Sequence, residues 1–372
     1  MTESATRFAP DWTSPPGDTI ADLLEERGWS QQELAQRLDY SEKHVSQLIN
    51  GKVPLTEDAA TRLNSVLGAP VGFWLKREAQ YREQLARVDS EKRFAAWQPW
   101  LDEIPVRDMM KHGWIENRRI DSSSKPTIVE ECLAYFRVAS PDGWRARYGG
   151  LQHQFRRSRP EQCNLGAIAA WLRRGEMAAE KYTGPRYDEV AFREALREMR
   201  GLTVLQPEQF EPRLNALFRD SGVIFELVSA MRRSYVSGVA RWLDADRPMI
   251  QLSAFGSFND RFWFTLFHEA AHILLHGKNR KSRESVFLDD PAGQTSTSLQ
   301  EREANDWAGD WMIPPQHKWV LTQLRDKSAV VDFAHQLGIH PGIVVGRLQH
   351  DRIIQPSWMN NLKDRFRITE GA

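Results

Sequence analysis

The sequence predicts a mainly α-helical fold with one small antiparallel β-sheet (α+β), in a chain of 372 residues that is long enough for two or three domains. Two observations carry this. Over most of the chain, apolar residues recur at spacings of three and four, as in LGAIAAWLRRGEMAAEKY and EVAFREALREMRGL, the period of a helix with one buried face. Between 221 and 254 that period is lost, and SGVIFELV, VSGVARWL and RPMIQLSA read as three short strands with turns between them. The composition, 41% hydrophobic and 27% charged, is that of a globular chain. No run approaches the ~20 apolar residues of a membrane span, so no membrane association is expected. The opening stretch, MTESATRFAPDWTSPPG, is polar and lacks the apolar centre of a secretion signal. Cys132 and Cys163 are then expected to be free thiols in a reducing cytoplasm. Net charge is zero, so any nucleic-acid binding must come from a local surface.

The elements follow in order. TIADLLEERG is a helix ended by Gly28. Ser30 and Glu33 form an S-x-x-E capping box that starts a second helix, QQELAQRL. Asp39 and Tyr40 fill a turn, and Ser41 starts a third helix, SEKHVSQLING, stopped by Asn50-Gly51. EDAATRLNSVLG is a fourth helix, and KREAQYREQLARVDSEKRFAAW is a charged connecting helix. Residues 101 to 200 are helical packing, with turns at SRPEQ and TGPRYD. After the strands, helices resume at about 258, and KSRESVFLDDPAGQTSTS (281–298) is a polar loop between two of them. The expected segmentation is 15–85, a helical connector and middle domain over 86–200, 201–350, and a tail over 351–372.

Two of these segments carry chemistry. In WFTLFHEAAHILLHG, His268 and His272 stand four apart, on one face of a helix, so their imidazoles can serve one zinc ion. Glu269 follows one position later, beside the metal but not on it, where a carboxylate can take a proton from an activated water. Phe262, Phe264, Leu266, Phe267, Ile273 and Leu274 make the helix strongly apolar, and unpaired imidazoles or carboxylates would be costly there. His276 continues the series but lies ~12 Å along the helix axis from His268, too far for the same ion. It reads as the helix end, a His suited to the dipole with Gly277 as a left-handed cap, and as a candidate neighbour of the ligands or of substrate. Tyr235 and His276 are the candidate oxyanion donors. A catalytic zinc takes a third protein ligand. SLQEREANDWAGDWMIPP offers Glu301 and Glu303, flanking its apolar face on opposite sides, and periodicity leaves both open.

The runs FTLFHEAAHILLHG and EREANDWAGDWMIP, in that order over about 200 to 350, resemble the ImmA/IrrE family of zinc metallo-endopeptidases. The resemblance implies a zincin-like metallopeptidase domain, His268 and His272 as zinc ligands, Glu269 as general base, and Glu303 as third ligand. Trp307 departs from the phenylalanine usual in the family.

The second segment, WSQQELAQRLDYSEKHVSQLINGK, has the length and turn placement of a helix-turn-helix. Leu34, Ala35, Leu38, Val45, Leu48 and Ile49 form its core. Glu42, Lys43, His44, Ser46 and Gln47 face outward, with Ser41 and Lys52 at the ends of the reading helix. Gln31, at a helix N-terminus, is placed to hold a phosphate. From PPGDTIADLLEERGWSQQELAQRL to FWLKREAQY, about 15 to 85, the chain resembles HigA-type antitoxins of the XRE helix-turn-helix class. That implies a homodimer on a palindromic double-stranded DNA operator. AVVDFAHQLGIHPGIVVGRLQHDRI repeats a helix–Gly turn–helix pattern, read as packing with a second DNA reader as the sharper alternative. Together these imply a cytoplasmic DNA-binding transcriptional regulator fused to a zinc endopeptidase. Its protein substrate would be a helix-turn-helix repressor or antitoxin, or the chain itself near 76–100. The alternative is a HigA-like antitoxin or repressor whose zinc domain is a non-catalytic sensor or protein-binding module.

Overall fold

The computed structural model describes residues 14–155, 164–229, 231–232, 234, 236–253, 258–277, 287–288 and 299–366. The chain divides into two compact units, Met1–Gln98 with Ile120–Glu130, and Pro99–Arg119 with Glu131–Ala372. No helix among the described residues is long and apolar enough to cross a membrane.

The first unit is helical: α1 (Pro16–Arg27), α2 (Gln31–Leu38), α3 (Glu42–Ile49), α4 (Glu57–Leu67) and α5 (Val71–Ala96). Their apolar stripes close on one core that includes Ile20, Leu34, Leu38, Val45, Leu48, Leu63 and Trp74. Side-chain caps start the short helices. Ser30 Oγ accepts from Glu33 N, Ser41 Oγ from His44 N and Thr56 Oγ1 from Ala59 N, each contributing about 1 kcal/mol. The expected capping box is present only in this half, because the Glu33 carboxylate pairs with Arg37 at 2.7 Å. The turn between α2 and α3 is set by Asp39, in the left-handed region at φ 56°. Tyr40 then donates its hydroxyl to Asp58 at 2.6 Å. Burial and the Asp58 carboxylate push the Tyr40 phenol up to about 12, so it stays a donor. α5 runs without interruption through position 85, so the segmentation expected there is not a break in the backbone.

The second unit holds α6 (Val106–Lys111), the end of α7 (Lys125–Phe136), α8 (Pro141–Phe155), α9 (Leu165–Ala179), α10 (Glu189–Gly201) and α11 (Pro207–Asp220), which precede the sheet. The strands are β1 (Ile224–Val228), β2 (Gly238–Asp244) and β3 (Arg247–Ser253), then α12 (Asn259–Ala271), β4 (Phe287–Leu288), α13 (Leu299–Met312), α14 (Lys318–Leu321), α15 (Lys327–Leu337) and α16 (Pro341–His350). The sheet order is β1-β3-β2-β4. β2 and β3 form the expected antiparallel hairpin, with Ala240 opposite Ile250. β1, however, runs parallel to β3, with Ile224 opposite Met249, so the sheet is mixed rather than antiparallel throughout. The chain passes from β1 to β2 and returns to place β3 between them. Turn signals reveal hairpins between successive strands but carry no information on such a pairing. β4 pairs with β2 from within the expected 281–298 loop, most of which lies outside the described residues.

Side chains alternate across a strand, and the two faces of this sheet meet different helices. Ala240, Ile250 and Leu252 join the core shared with Phe262, Leu266 and Phe267 of α12. Met249 and Ile224 pack with Ala179 of α9, and Arg241 of β2 reaches Leu172 O at 2.9 Å and Glu176 at 3.1 Å on α9. The sheet is thus sandwiched between α9 and α12. The expected division at 200/201 does not separate two bodies, because α9 and α10 lie in the same compact unit as the sheet. The start of α12 is pinned from the far end of the chain. Lys363 pairs with Asp260 at 2.6 Å, Asp364 O accepts from Asn259 N at 2.8 Å, and His340 bridges Asn259 (2.7 Å) and Asp364 (3.2 Å). Burial lowers the His340 imidazole, which suits its role as an acceptor from Gly342 N. Residues 351–366 of the segment expected as a tail therefore pack on the core, with Ile354 and Phe366 buried in it.

Candidate metal centre and candidate nucleic-acid interface

α12 is buried on nearly all sides, with Phe262, Trp263, Leu266, Phe267, Ala270 and Ala271 at 4% exposure or less. His268 and His272 lie on its face toward α13, both at 1% exposure, with their Nε2 atoms 3.0 Å apart. The face of α13 that meets them is a stripe of small residues. Ala304, Ala308 and Met312 are buried, and the two alanines let the helices pack together. Glu301 sits three residues before Ala304, on that same stripe. Its Oε2 is 3.2 Å from His268 Nε2 and its Oε1 is 3.5 Å from His272 Nε2.

These three side chains form a donor set. One ligand atom from each of His268, His272 and Glu301 lies within 4.8 Å of the others. Two ligand atoms of a tetrahedral zinc, each about 2.1 Å from the ion, stand about 3.4 Å apart. The observed 3.0, 3.2 and 3.5 Å separations match that spacing. Protonation states fit as well. Burial lowers His272 to about 4, leaving a neutral imidazole at pH 7. Burial works against the Glu301 carboxylate, but the hydrogen bonds and charges of both histidines hold it at about 2, so it is ionised. A neutral imidazole and a carboxylate are the forms a divalent ion binds.

The structure thus brings Glu301, and not the expected Glu303, to the two histidines. Glu303 is two positions on, about 200° around the helix, in line with Trp307 and Trp311, whose rings stack at 4.8 Å. It is half-exposed, and its Oε2 lies 3.8 Å from His276 Nδ1. Trp307, where the family resemblance expects Phe, fills that tryptophan stripe. The sequence carries a signal for this face, though not for its direction. Glu301, Ala304, Ala308 and Met312 follow the 3-4-4 period of a close-packed face, and Glu303 begins the stripe of bulky residues.

Glu269 is fully buried on α12. Gly238, the first residue of β2, gives it room. A Cβ at Gly238 would stand 2.8 Å from Glu269 Oε1 and 2.7 Å from Thr265 Cγ2. Gly238 is a site residue that sequence reasoning missed, since only the packing of the sheet on α12 brings it there. His276 closes a π-helical turn, His272–His276, instead of ending a regular helix; such turns are rare and recur at functional sites. Gly277 is not the expected left-handed cap. Its φ is −63°, and its lack of a side chain admits the Trp242 ring, 2.7 Å from where a Cβ would be. Tyr235 lies outside the described residues.

In the first unit, α3 presents the expected surface. Ser41 and Lys43 are exposed, and His44, Ser46 and Gln47 are partly exposed, while Val45 and Leu48 face the core. Gln31 is exposed at the start of α2, and Lys52 is exposed just beyond α3. Ser41 also caps α3, and the His44 ring packs edge-on against Tyr40 at 4.6 Å. The second candidate reader does not have this form. Ile343, Val344, Val345 and Leu348 of α16 are buried against the core. Its polar residues are engaged locally, Arg347 with Asp351 and Gln349 with Lys363.

Residues 20–74 match the family model described as helix-turn-helix, and residues 223–348 match the IrrE N-terminal-like domain. The chain is also similar to an uncharacterized HTH-type transcriptional regulator, YddM, of Escherichia coli strain K12. That likeness is 35% identity over 60 residues, 16% of this chain and 64% of that protein. No solved structure matches. The chain carries an XRE-type helix-turn-helix domain at its N-terminus and an IrrE/ImmA-like peptidase domain at its C-terminus.

Proposed function

We propose that this chain is a DNA-binding regulator whose C-terminal domain is a zinc-dependent endopeptidase acting on a protein, a helix-turn-helix repressor or antitoxin or a second copy of the chain. The observation that carries the reading is the convergence of His268, His272 and Glu301 from two helices beside the buried carboxylate of Glu269. His268, His272 and Glu301 would hold the ion. When bound, zinc supplies Lewis-acid polarisation of a peptide carbonyl and makes a water acidic enough to attack near neutral pH. Glu269, one residue from His268, accepts the proton of the attacking water and returns it to the leaving amine. The buried walls of α12 exclude bulk water, so charge on these groups is little screened. At the other end, Lys43, Gln47 and their neighbours on α3 contact a DNA operator, read by a homodimer.

A second reading, an antitoxin or repressor with a zinc module that does not turn over, draws on the burial of the two histidines and the adjoining carboxylate, since His268, Glu269 and His272 are at most 1% exposed. One comparison separates the two. Zinc-loaded wild type and Glu269→Gln are each incubated alone and with candidate repressors. Discrete fragments are expected from wild type, with a rate at least about 100-fold lower in Glu269→Gln, while both proteins retain zinc. Equal cleavage by both would overturn Glu269 as the base, and none by either against every candidate would leave the second reading in place.

A further inference from the structure

We propose that His276 is a positioning residue, which locates Glu301 by holding the adjoining Gln300 peptide of α13 from the end of the metal-binding helix. The inference rests on the metal-site reading above and deepens it. The π-helical turn carries the His276 ring to 5.4 Å from the His272 ring. Only 6% of its side chain is exposed. Its Nε2 lies 3.1 Å from the backbone oxygen of Gln300. A carbonyl oxygen only accepts, so Nε2 carries the hydrogen and donates it. The other ring nitrogen faces Glu303 Oε2 at 3.8 Å. The ring therefore addresses α13 on both sides of Glu301, at the residue before it and two residues after it.

That placement answers a need of the site. Two donors, His268 and His272, share a helix, and their spacing is set by the backbone. Glu301 comes from α13, a separate helix, so its position relative to them must come from tertiary contacts. The bond from His276 to Gln300 O supplies one at the peptide adjoining the ligand. It also gives Glu303 a role, as a charge on the positioning histidine instead of on the ion.

The test uses full-length protein and measures zinc affinity by competition with a chromogenic chelator, with His268→Ala as the control for ligand loss. His276→Ala is expected to weaken zinc binding about 10- to 100-fold, the usual effect of removing a group that orients a ligand. His276→Gln, whose amide can donate to the same carbonyl, is expected to stay within a few fold of wild type, and Glu303→Gln likewise. Wild-type affinity in His276→Ala overturns the proposal, as does His276→Gln as weak as His276→Ala, which would make the ring a space-filler. Should His276→Ala fail to fold, a wild-type affinity in His276→Gln with a tenfold loss in His276→Leu supports it, and equal affinities overturn it. If wild type itself binds no zinc, or His268→Ala binds as well as wild type, the metal reading falls first and the proposal with it.

Discussion

The helix-turn-helix unit and the metal centre present their functional side chains in opposite ways. On α3, Lys43 is exposed and Gln47 partly so, and the helix is shaped by caps one turn away. At the candidate metal centre, His268, Glu269 and His272 are withdrawn from solvent, and their neighbours come from β2 and from a helix some thirty residues on. A surface that reads another molecule can keep its polar groups hydrated until contact, so it costs the fold little. A set of polar groups in an apolar interior is costly unless packing brings every partner into place. The first kind of site is assembled by local interactions, and the second by the whole domain.

Three measurements can break or sharpen that contrast. The largest effect is expected at the ligand supplied by tertiary packing. Glu301→Gln should weaken zinc binding by at least about 100-fold, while Glu303→Gln, a neighbour in sequence, stays near wild type. Chelator competition reads both, and the reverse order would restore Glu303 as the ligand. Next comes the pH dependence of the metal-free protein. Burial lowers His272 from 6.5 to about 4, so between those values the unfolded chain holds a proton that the folded chain does not. This contribution to stability is present in full above about pH 6.5 and is lost as pH falls towards 4, roughly 3 kcal/mol in all. Denaturant midpoints of wild type and His272→Asn should converge across that window, and a constant gap between them would refute the assignment. The smallest effects belong to the exposed surface. Gln47→Ala should cost about 1–3 kcal/mol of operator affinity, and Lys43→Ala should lower the slope of log affinity against log salt by about one. Retention measurements at several salt concentrations test both, and unchanged binding would reject α3 as the reading helix.

The same contrast explains what was legible in the sequence. The boundaries of α2 and α3 were readable because Ser30, Ser41 and the apolar period act within a turn or two. The pairing of His268 with His272 was readable for the same reason, since four residues on one helix fix a distance. The parallel pairing of β1 with β3, the approach of Gly238 to Glu269 and the pinning of Asn259 by residues near 364 were not, because each joins segments far apart in the chain. Glu301 stands between these cases. Its face was encoded by Ala304, Ala308 and Met312, but recognising that face as the inner one required knowing that α13 packs on α12 by its small residues.

By itself, then, the sequence determined the helical elements, their caps, the presented face of α3 and the paired histidines, because covalent geometry and one-turn interactions are sufficient for each. Only the tertiary structure decided that Glu301 and not Glu303 meets those histidines, that His276 turns to α13, and that α9 covers one face of the sheet. Those outcomes depend on which surfaces pack together, and that is a property of the assembled core, not of any short stretch of chain.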